Sequence, residues 1–291
     1  MKPAAFDYLA AASLEEAVAA LAAGRGEARL LAGGQTLGPM LNLRLASPKR
    51  LVDVGRIASL RRIADNGARL VIGSGVTHAM LEDRSDPSPT VRLMCQVAAS
   101  IAYRAVRNRG TLGGSLAHAD PAAELPLLAL LLEARITAVS TQGRRVIAAA
   151  DFFTAALTTA LAPDEILTEI ELPGLPAESG WGFAELARRA GDFALAAVGA
   201  IIAEESGVCR TARIAMAGVG PTPLRAPAAE ALLRGGTLDT SAIAAAARAA
   251  AAAAQPADDL HASAAYRRHL VEVLTRRALS AAVARARKAA P

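Results

Sequence analysis

Ala32-Gly33-Gly34-Gln35-Thr36 and Thr111-Leu112-Gly113-Gly114-Ser115 are the two stretches whose reading decides the fold. Each follows an apolar or β-branched lead-in, places two adjacent glycines where backbone must approach something closely, and closes on a small hydroxyl side chain. Glycine has no Cβ and reaches positive φ. Successive peptide N–H groups in such a turn therefore form an anion-binding concavity, to which the Thr or Ser hydroxyl adds a donor. A single Gly-Gly pair between apolar segments reads as a tight turn. Two matching loops, with His118-Ala119-Asp120-Pro121-Ala122-Ala123-Glu124 directly after the second, read as the grip on a diphosphate. The expected ligand is a dinucleotide.

The segments around the loops supply strands and helices. Ser13 caps a helix, with Glu16 reaching back, and Gly24 stops it. Arg29-Leu30-Leu31-Ala32 is a short strand that delivers the first turn, and residues 51–54 and 69–73 are further strands. Apolar residues recur at helical spacing over residues 90–105, ending the helix near residues 104–109, just before the second loop. Residues 126–132 fit a short buried helix, residues 136–139 a strand, and residues 164–173 another. Pro173-Gly174-Leu175-Pro176 is the clearest linker, and it puts a domain boundary near residue 176.

Beyond the linker, residues 182–187, 196–204 and 209–219 read as an antiparallel meander, followed by helices at 227–233 and 243–254. In the last segment Arg267, Arg268, Arg276, Arg277, Arg285, Arg287 and Lys288 interleave with Leu270, Val273, Leu274, Leu279 and Val283. That spacing predicts an amphipathic helix with a solvated basic face, or a docking face for an acidic partner subunit.

Composition narrows the function classes. The 291 residues are 53% hydrophobic but only 3% aromatic, so aliphatic side chains pack the core and base stacking is poorly supported. Thirty-two basic against 27 acidic residues is a mild excess, which gives no nucleic-acid signature. Cys95 and Cys209 are too few for a four-cysteine metal or iron–sulfur site, so any such cluster belongs to another polypeptide. The first residues carry no readable signal peptide, and the apolar run at 125–132 is too short to span a bilayer. The expectation is a cytoplasmic protein that is not an integral membrane protein.

Leu31-Ala32-Gly33-Gly34-Gln35-Thr36-Leu37, Arg109-Gly110-Thr111-Leu112-Gly113-Gly114-Ser115-Leu116, His118-Ala119-Asp120-Pro121 and Gly191-Asp192-Phe193-Ala194 occur in that order. In order and separation they resemble the FAD-binding medium subunit of molybdenum hydroxylases. That group contains the flavoprotein subunit of aerobic carbon monoxide dehydrogenase and the flavin domain of xanthine dehydrogenase. The resemblance implies an α+β chain with a two-subdomain FAD-binding fold of the PCMH (vanillyl-alcohol-oxidase-like) type over residues 1–176, its subdomains about 1–55 and 56–176. A C-terminal α+β domain over residues 177–291 would hold a three-stranded antiparallel sheet and helices.

The resemblance also implies a division of labour. A large subunit holds a molybdopterin cofactor and hydroxylates the substrate, a small subunit carries 2Fe-2S clusters, and noncovalent FAD in this chain passes their electrons to a quinone, NAD or oxygen. The assembly implied is a dimer of heterotrimers, with no catalytic residue and no metal ligand in this chain.

By the same resemblance, residues 31–37 and 111–115 would cradle the FAD diphosphate through backbone N–H groups. Glu124 occupies the position of an acidic residue that contacts the flavin nucleotide. Asp120 is the alternative partner for a ribose or ribityl hydroxyl, and His118 orders the loop. Ile101 would pack on the adenine side, Ile166 and Leu167 would match a flavin-contacting strand, and Phe193 would lie near the isoalloxazine with a stacking or gating surface. Relatives often have tyrosine at that last position; phenylalanine here keeps the ring surface and lacks the phenolic hydrogen bond. A lysine common in relatives falls where this chain reads Phe183-Ala184-Glu185, which leaves Arg188 or Arg189 as a substitute. His78, in Gly75-Val76-Thr77-His78, reads as a satisfied structural residue at a strand-to-helix turn. Two other classes share the same reading of the loops: a self-sufficient FAD-dependent oxidase or reductase of this flavin fold, and a noncatalytic scaffold.

Overall fold

The helix expected after Ser13 forms as α1 (Leu14–Ala23) in the computed structural model, which describes residues 2–289. Ser13 Oγ accepts the Glu16 amide at 3.2 Å, and the Glu16 carboxylate accepts the Ala12 amide at 2.7 Å, so the box closes one residue further out than the spacing predicts. The helix connects β1 (Asp7–Ala10) to β2 (Ala28–Leu31), and α2 (Leu37–Asn42) leads on to β3 (Arg50–Asp53). Both outer strands pair in parallel with β3, in the order β1-β3-β2. Parallel strands need crossover connections, which α1 and α2 supply. The sequence reading missed β1, where the aromatic side chain Tyr8 points outward to Asp53 instead of into a core.

A second sheet is antiparallel, in the order β4-β5-β10-β6-β7. It begins with β4 (Ile63–Asp65) and β5 (Arg69–Gly73). Five helices intervene before its next strand: α3 (His78–Glu82), α4 (Pro89–Ser100), α5 (Arg104–Arg107), α6 (Leu112–His118) and α7 (Glu124–Leu131). Then come the hairpin of β6 (Arg135–Ser140) and β7 (Gly143–Ala148), the short helix α8 (Ala149–Phe152), a small hairpin of β8 (Phe153–Ala155) and β9 (Thr158–Thr159), and the central strand β10 (Ile166–Pro173).

Two features of this lobe position the site. The helix expected to run through residue 105 stops at Ser100: Ile101 is extended and Ala102 is left-handed, with φ 43°. The Arg107 guanidinium stabilises this elbow by donating to the Ile101 and Ala102 carbonyl oxygens at 2.8 and 2.9 Å, capping carbonyls that a continuing helix would have occupied. All eight residues of α7 are buried, Glu124 included. A helix apolar on every side has no solvent face, and each leucine it hides contributes roughly 1.5–3 kcal/mol of hydrophobic stabilisation.

After the linker, β11 (Gly180–Ala187), β12 (Ala194–Glu205), β13 (Val208–Ala217) and β14 (Leu224–Arg225) form an antiparallel sheet in that order. The expected three-stranded sheet therefore has a fourth, two-residue strand, too short to show period-2 alternation. Helices α9 (Pro227–Leu233), α10 (Thr240–Ala253) and α11 (Ala264–Ala289) cover it. The basic face expected on α11 is not wholly solvated. Arg267 is 7% exposed and donates to the Leu195 and Gly218 carbonyl oxygens at 2.5 and 3.0 Å while pairing with Asp259 at 2.7 Å. Arg285 stacks over Trp181, its guanidinium carbon 3.8 Å from the ring centroid. The largest core cluster runs from Leu70 to Ala217 and so takes side chains from both sides of the linker. Among the described residues no helix is long and apolar enough to cross a membrane, and no group of metal-ligating side chains is assembled.

Candidate flavin site

The ends of β2 and β5, the starts of β10, α2 and α6, and the turn before β12 enclose a cavity of about 680 Å³. That lies within the ~300–1,000 Å³ of cofactor sites. Its lining includes Ala32, Gly33, Gly34, Gln35, Thr36 and Leu37 from the first loop and Thr111, Gly113, Gly114 and Ser115 from the second. His118, Asp120 and Glu124 line it beyond the second loop, with Ile101, Ile166, Leu167 and Phe193 on the remaining walls. Leu31 and Leu112 are not brought to the cavity. Leu31 closes β2, and Leu112 is buried in the largest core, so each flanks its loop as packing.

The two loops are different devices, against the expectation of one shared design. Among the described residues, the amides of Gly33, Gly34, Gln35 and Thr36 donate to nothing within the chain, which leaves a row of free N–H groups at the cavity. Gly34 makes the row possible by adopting φ +71°. In the second loop the amides are already used: Leu112 donates to the Val76 carbonyl, Gly113 to Ser74, Ser115 to Thr111, and Gly114 to Thr111 Oγ1 at 3.0 Å. This loop caps α6 and docks it onto β5. What it offers a ligand is the Ser115 and Thr111 hydroxyls and a close-fitting backbone surface.

The glycines secure that fit by letting backbone meet backbone. A Cβ on Gly113 would lie 2.4 Å from Ser74 Cβ, and one on Gly33 would lie 2.1 Å from the Arg109 carbonyl oxygen. Ser74 and Gly75, at the end of β5, also line the cavity. Sequence reading missed them, although Gly73-Ser74-Gly75 after an apolar strand carries the same signal as the two loops it did single out.

His78 lines the cavity and is buried, but it is not satisfied as expected, since neither ring nitrogen has a hydrogen-bond partner. Burial depresses its pKa to about 4 against the opposing effect of the Thr111 backbone, which lies near the ring without reaching hydrogen-bond geometry, and the Arg107 charge adds to the fall, so the ring is neutral at physiological pH. Glu124 is 6% exposed and faces the same cavity. Burial pushes its pKa up to about 7, and the charges of Glu185 and Asp120 add to the rise. At the rim, Arg145 pairs with Glu165 at 2.6 Å and holds its carboxyl below the usual carboxylate range.

Phe193 is 62% exposed at the mouth of the cavity. Its turn rests on the Ile101–Ala102 elbow, for a Cβ on Gly191 would lie 2.9 Å from the Ala102 carbonyl oxygen. Arg188 and Arg189, the substitutes considered for the relatives' lysine, do not line the cavity. They pair with Asp192, itself a lining residue, at 3.4 and 4.0 Å.

An apolar cleft with a row of free amides at one end and carboxylates beside it suits a phosphate-bearing, hydroxyl-rich nucleotide with a flat apolar ring. That defines a dinucleotide-binding flavoprotein site. Comparison with known proteins narrows the class. Residues 4–175 match the FAD binding domain in molybdopterin dehydrogenase, and residues 181–282 match the CO dehydrogenase flavoprotein C-terminal domain. The chain is 41% identical to the 6-hydroxypseudooxynicotine dehydrogenase complex subunit alpha of Paenarthrobacter nicotinovorans, over 99% of this chain and 97% of that protein. It is 37% identical to the carbon monoxide dehydrogenase medium chain of Hydrogenophaga pseudoflava, over 98% and 99%.

Two solved structures superpose closely. A carbon monoxide dehydrogenase from Hydrogenophaga pseudoflava that lacks the Mo-pyranopterin moiety gives a TM-score of 0.93 at 40% identity, covering 98% of this chain and 99% of that one. Quinoline 2-oxidoreductase from Pseudomonas putida 86 gives 0.92 at 39% identity, covering 99% of each chain. The chain belongs to the family of FAD-binding medium subunits of molybdopterin-dependent dehydrogenases.

Proposed function

We propose that this chain is the electron outlet of a cytoplasmic molybdenum hydroxylase built as a dimer of heterotrimers. FAD held noncovalently in the cavity supplies a carrier that takes electrons from the 2Fe-2S clusters of a small subunit and delivers them to a quinone, NAD or oxygen, while a large molybdopterin subunit hydroxylates the substrate. The observation that carries the reading is the row of free amides from Gly33 to Thr36 opening onto a cavity of cofactor size in a chain of this family. Cys95 and Cys209, both free thiols, support a reducing compartment.

Each part of the lining has a task in this reading. The amides of residues 33–36 hold phosphate oxygens, and Ser115 adds a hydroxyl donor. Asp120 and Glu124 meet hydroxyl groups of the nucleotide. Ile101, Ile166 and Leu167 form apolar walls that exclude water from the ring system. Phe193, resting on the Ala102 elbow, covers the mouth without closing it, which leaves room for an acceptor. The units that do this work are residues 1–176, divided near residue 55, and residues 177–291.

The test is direct. The purified chain is denatured in acid and filtered, and the expected result is one FAD per chain in the filtrate with a colourless polypeptide retained. Flavin that stays with the polypeptide, or FMN in place of FAD, overturns the assignment.

A further inference from the structure

Two carboxylates on the wall of the flavin cavity, and a third behind them, stand without a counter-ion. Glu124 and Asp120 line it, and Glu185 on β11 is close enough for its charge to act on Glu124. The neighbouring cations are engaged elsewhere: Arg107 on Glu82 at 2.8 Å, Arg145 on Glu165, and Arg188 on Asp192. Asp120 Oδ1 accepts the Ala122 amide at 2.9 Å; the Glu185 carboxyl is pushed up by burial against the opposing effect of the Ser100 hydroxyl beside it, and its Oε2 is buried with no partner. From α4 the facing groups are neutral. Ser100 donates to the Val97 carbonyl at 2.8 Å, and Gln96 donates to the Phe183 carbonyl at 3.4 Å. From α6 the titratable group on the cavity is His118. Glu124, on a helix buried along its full length, is thus the best-shielded member of an unneutralised cluster that opens onto a ligand site.

We propose that Glu124 meets the flavin nucleotide as a neutral carboxylic acid, donating its O–H to an acceptor on the ligand, and that FAD binding draws in a proton. The inference rests on the FAD reading above. An anionic ligand that fills the cavity strips the remaining water from the carboxyl group and adds negative charge, and both effects favour the protonated form. Burial and the adjacent carboxylates already hold Glu124 near the point of half protonation at neutral pH in the chain without ligand. Binding completes the protonation, so affinity falls as pH rises above about 7, by up to about tenfold per pH unit.

The experiment titrates the flavin-stripped full chain with FAD from pH 6 to 9 by fluorescence quenching. It repeats the titration calorimetrically at pH 7.5 in phosphate and in Tris, whose ionisation enthalpies differ. Wild type is expected to take up a substantial fraction of one proton and to weaken above neutrality. Glu124→Gln keeps binding and loses both the proton uptake and the pH slope, while Glu185→Gln keeps the slope and moves its onset to lower pH. A flat wild-type profile, an unchanged slope in Glu124→Gln, or loss of FAD binding by a folded Glu124→Gln chain overturns the proposal. A wild-type chain that binds no FAD at any pH overturns the FAD reading itself, and this inference with it.

Discussion

A Cβ added to Gly33 would lie 2.1 Å from the carbonyl oxygen of Arg109, so the first glycine loop is seated directly on the chain that leads into the second. The cavity therefore depends on contact between the two lobes' loops as well as on contact with a ligand. Gly33→Ala forces backbone from backbone and is expected to cost about 1–3 kcal/mol of stability. Gly34→Val, at φ +71° with only Leu31 Cδ1 nearby, leaves the seating intact and removes flavin retention through the strained amide row. Thermal unfolding of the apoprotein beside flavin fluorescence quenching separates the two effects. Equal unfolding midpoints for wild type and Gly33→Ala would refute the seating argument.

Two buried groups of the apoprotein are expected to act on its stability in opposite directions over nearly the same pH window, and so to offset each other between pH 4.5 and 6.5. His78 titrates near 4 in the fold against 6.5 when unfolded, so as pH falls from 6.5 toward 4 the unfolded chain gains a proton that the folded one refuses, and stability drops. Glu124 titrates near 7 against 4.5, so as pH rises from 4.5 to 7 the unfolded chain releases a proton that the folded one keeps, and stability drops again. Each effect is on the order of 3 kcal/mol at its limit. Urea unfolding from pH 4 to 8 should show a nearly flat wild type between pH 4.5 and 6.5, His78→Gln losing stability as pH rises from 4.5 to 7, and Glu124→Gln gaining it as pH rises from 4 to 6.5.

Arg107 ties the Ile101–Ala102 elbow to Glu82, whose carboxyl its guanidinium holds below the ordinary range. Arg107→Met is expected to cost about 1.5–3 kcal/mol, since Arg104 still reaches Glu82 at 2.7 Å. The same change frees the support under the Phe193 turn, so bound FAD should dissociate several times faster. Stopped-flow dilution that shows wild-type release from the variant would disconnect the elbow from the gate.

The subunit reading predicts that molybdenum and iron co-purify with this chain from its native host. Metal analysis of affinity-purified material checks it. Substrate-dependent turnover by the metal-free chain alone would favour the self-sufficient oxidase or reductase instead.

Much of the site was legible because glycine pairs and the following acidic stretch are local signals, and residues from Ala32 to Phe193 do converge on one cavity. What the loops do with their amides was not legible. Gly113 and Gly34 look alike in sequence, yet one amide is used by the Ser74 carbonyl and the other is free, a difference set by which strand lies behind each loop. The end of α4 was hidden for a similar reason. Helical periodicity continues through Ala102, and only the distant Arg107 guanidinium, by capping the Ile101 and Ala102 carbonyls, makes the break favourable. Arg267 was misassigned because its partners, Leu195 and Gly218 carbonyls, lie far away in sequence. Strands β7 to β9 escaped because they are short or outward-facing, with little apolar alternation to read.

The core that runs from Leu70 to Ala217 has a bearing on how such chains are inherited. Leu127 and Leu131 of α7 press on Gly199 of β12, where a Cβ would come within 2.6 Å of Leu131 Cδ2, so the halves on either side of the linker are moulded to each other's contours. Exchanging one half between relatives would pair surfaces with mismatched knobs and hollows. The two halves are therefore expected to be exchangeable between relatives only together, as a single unit.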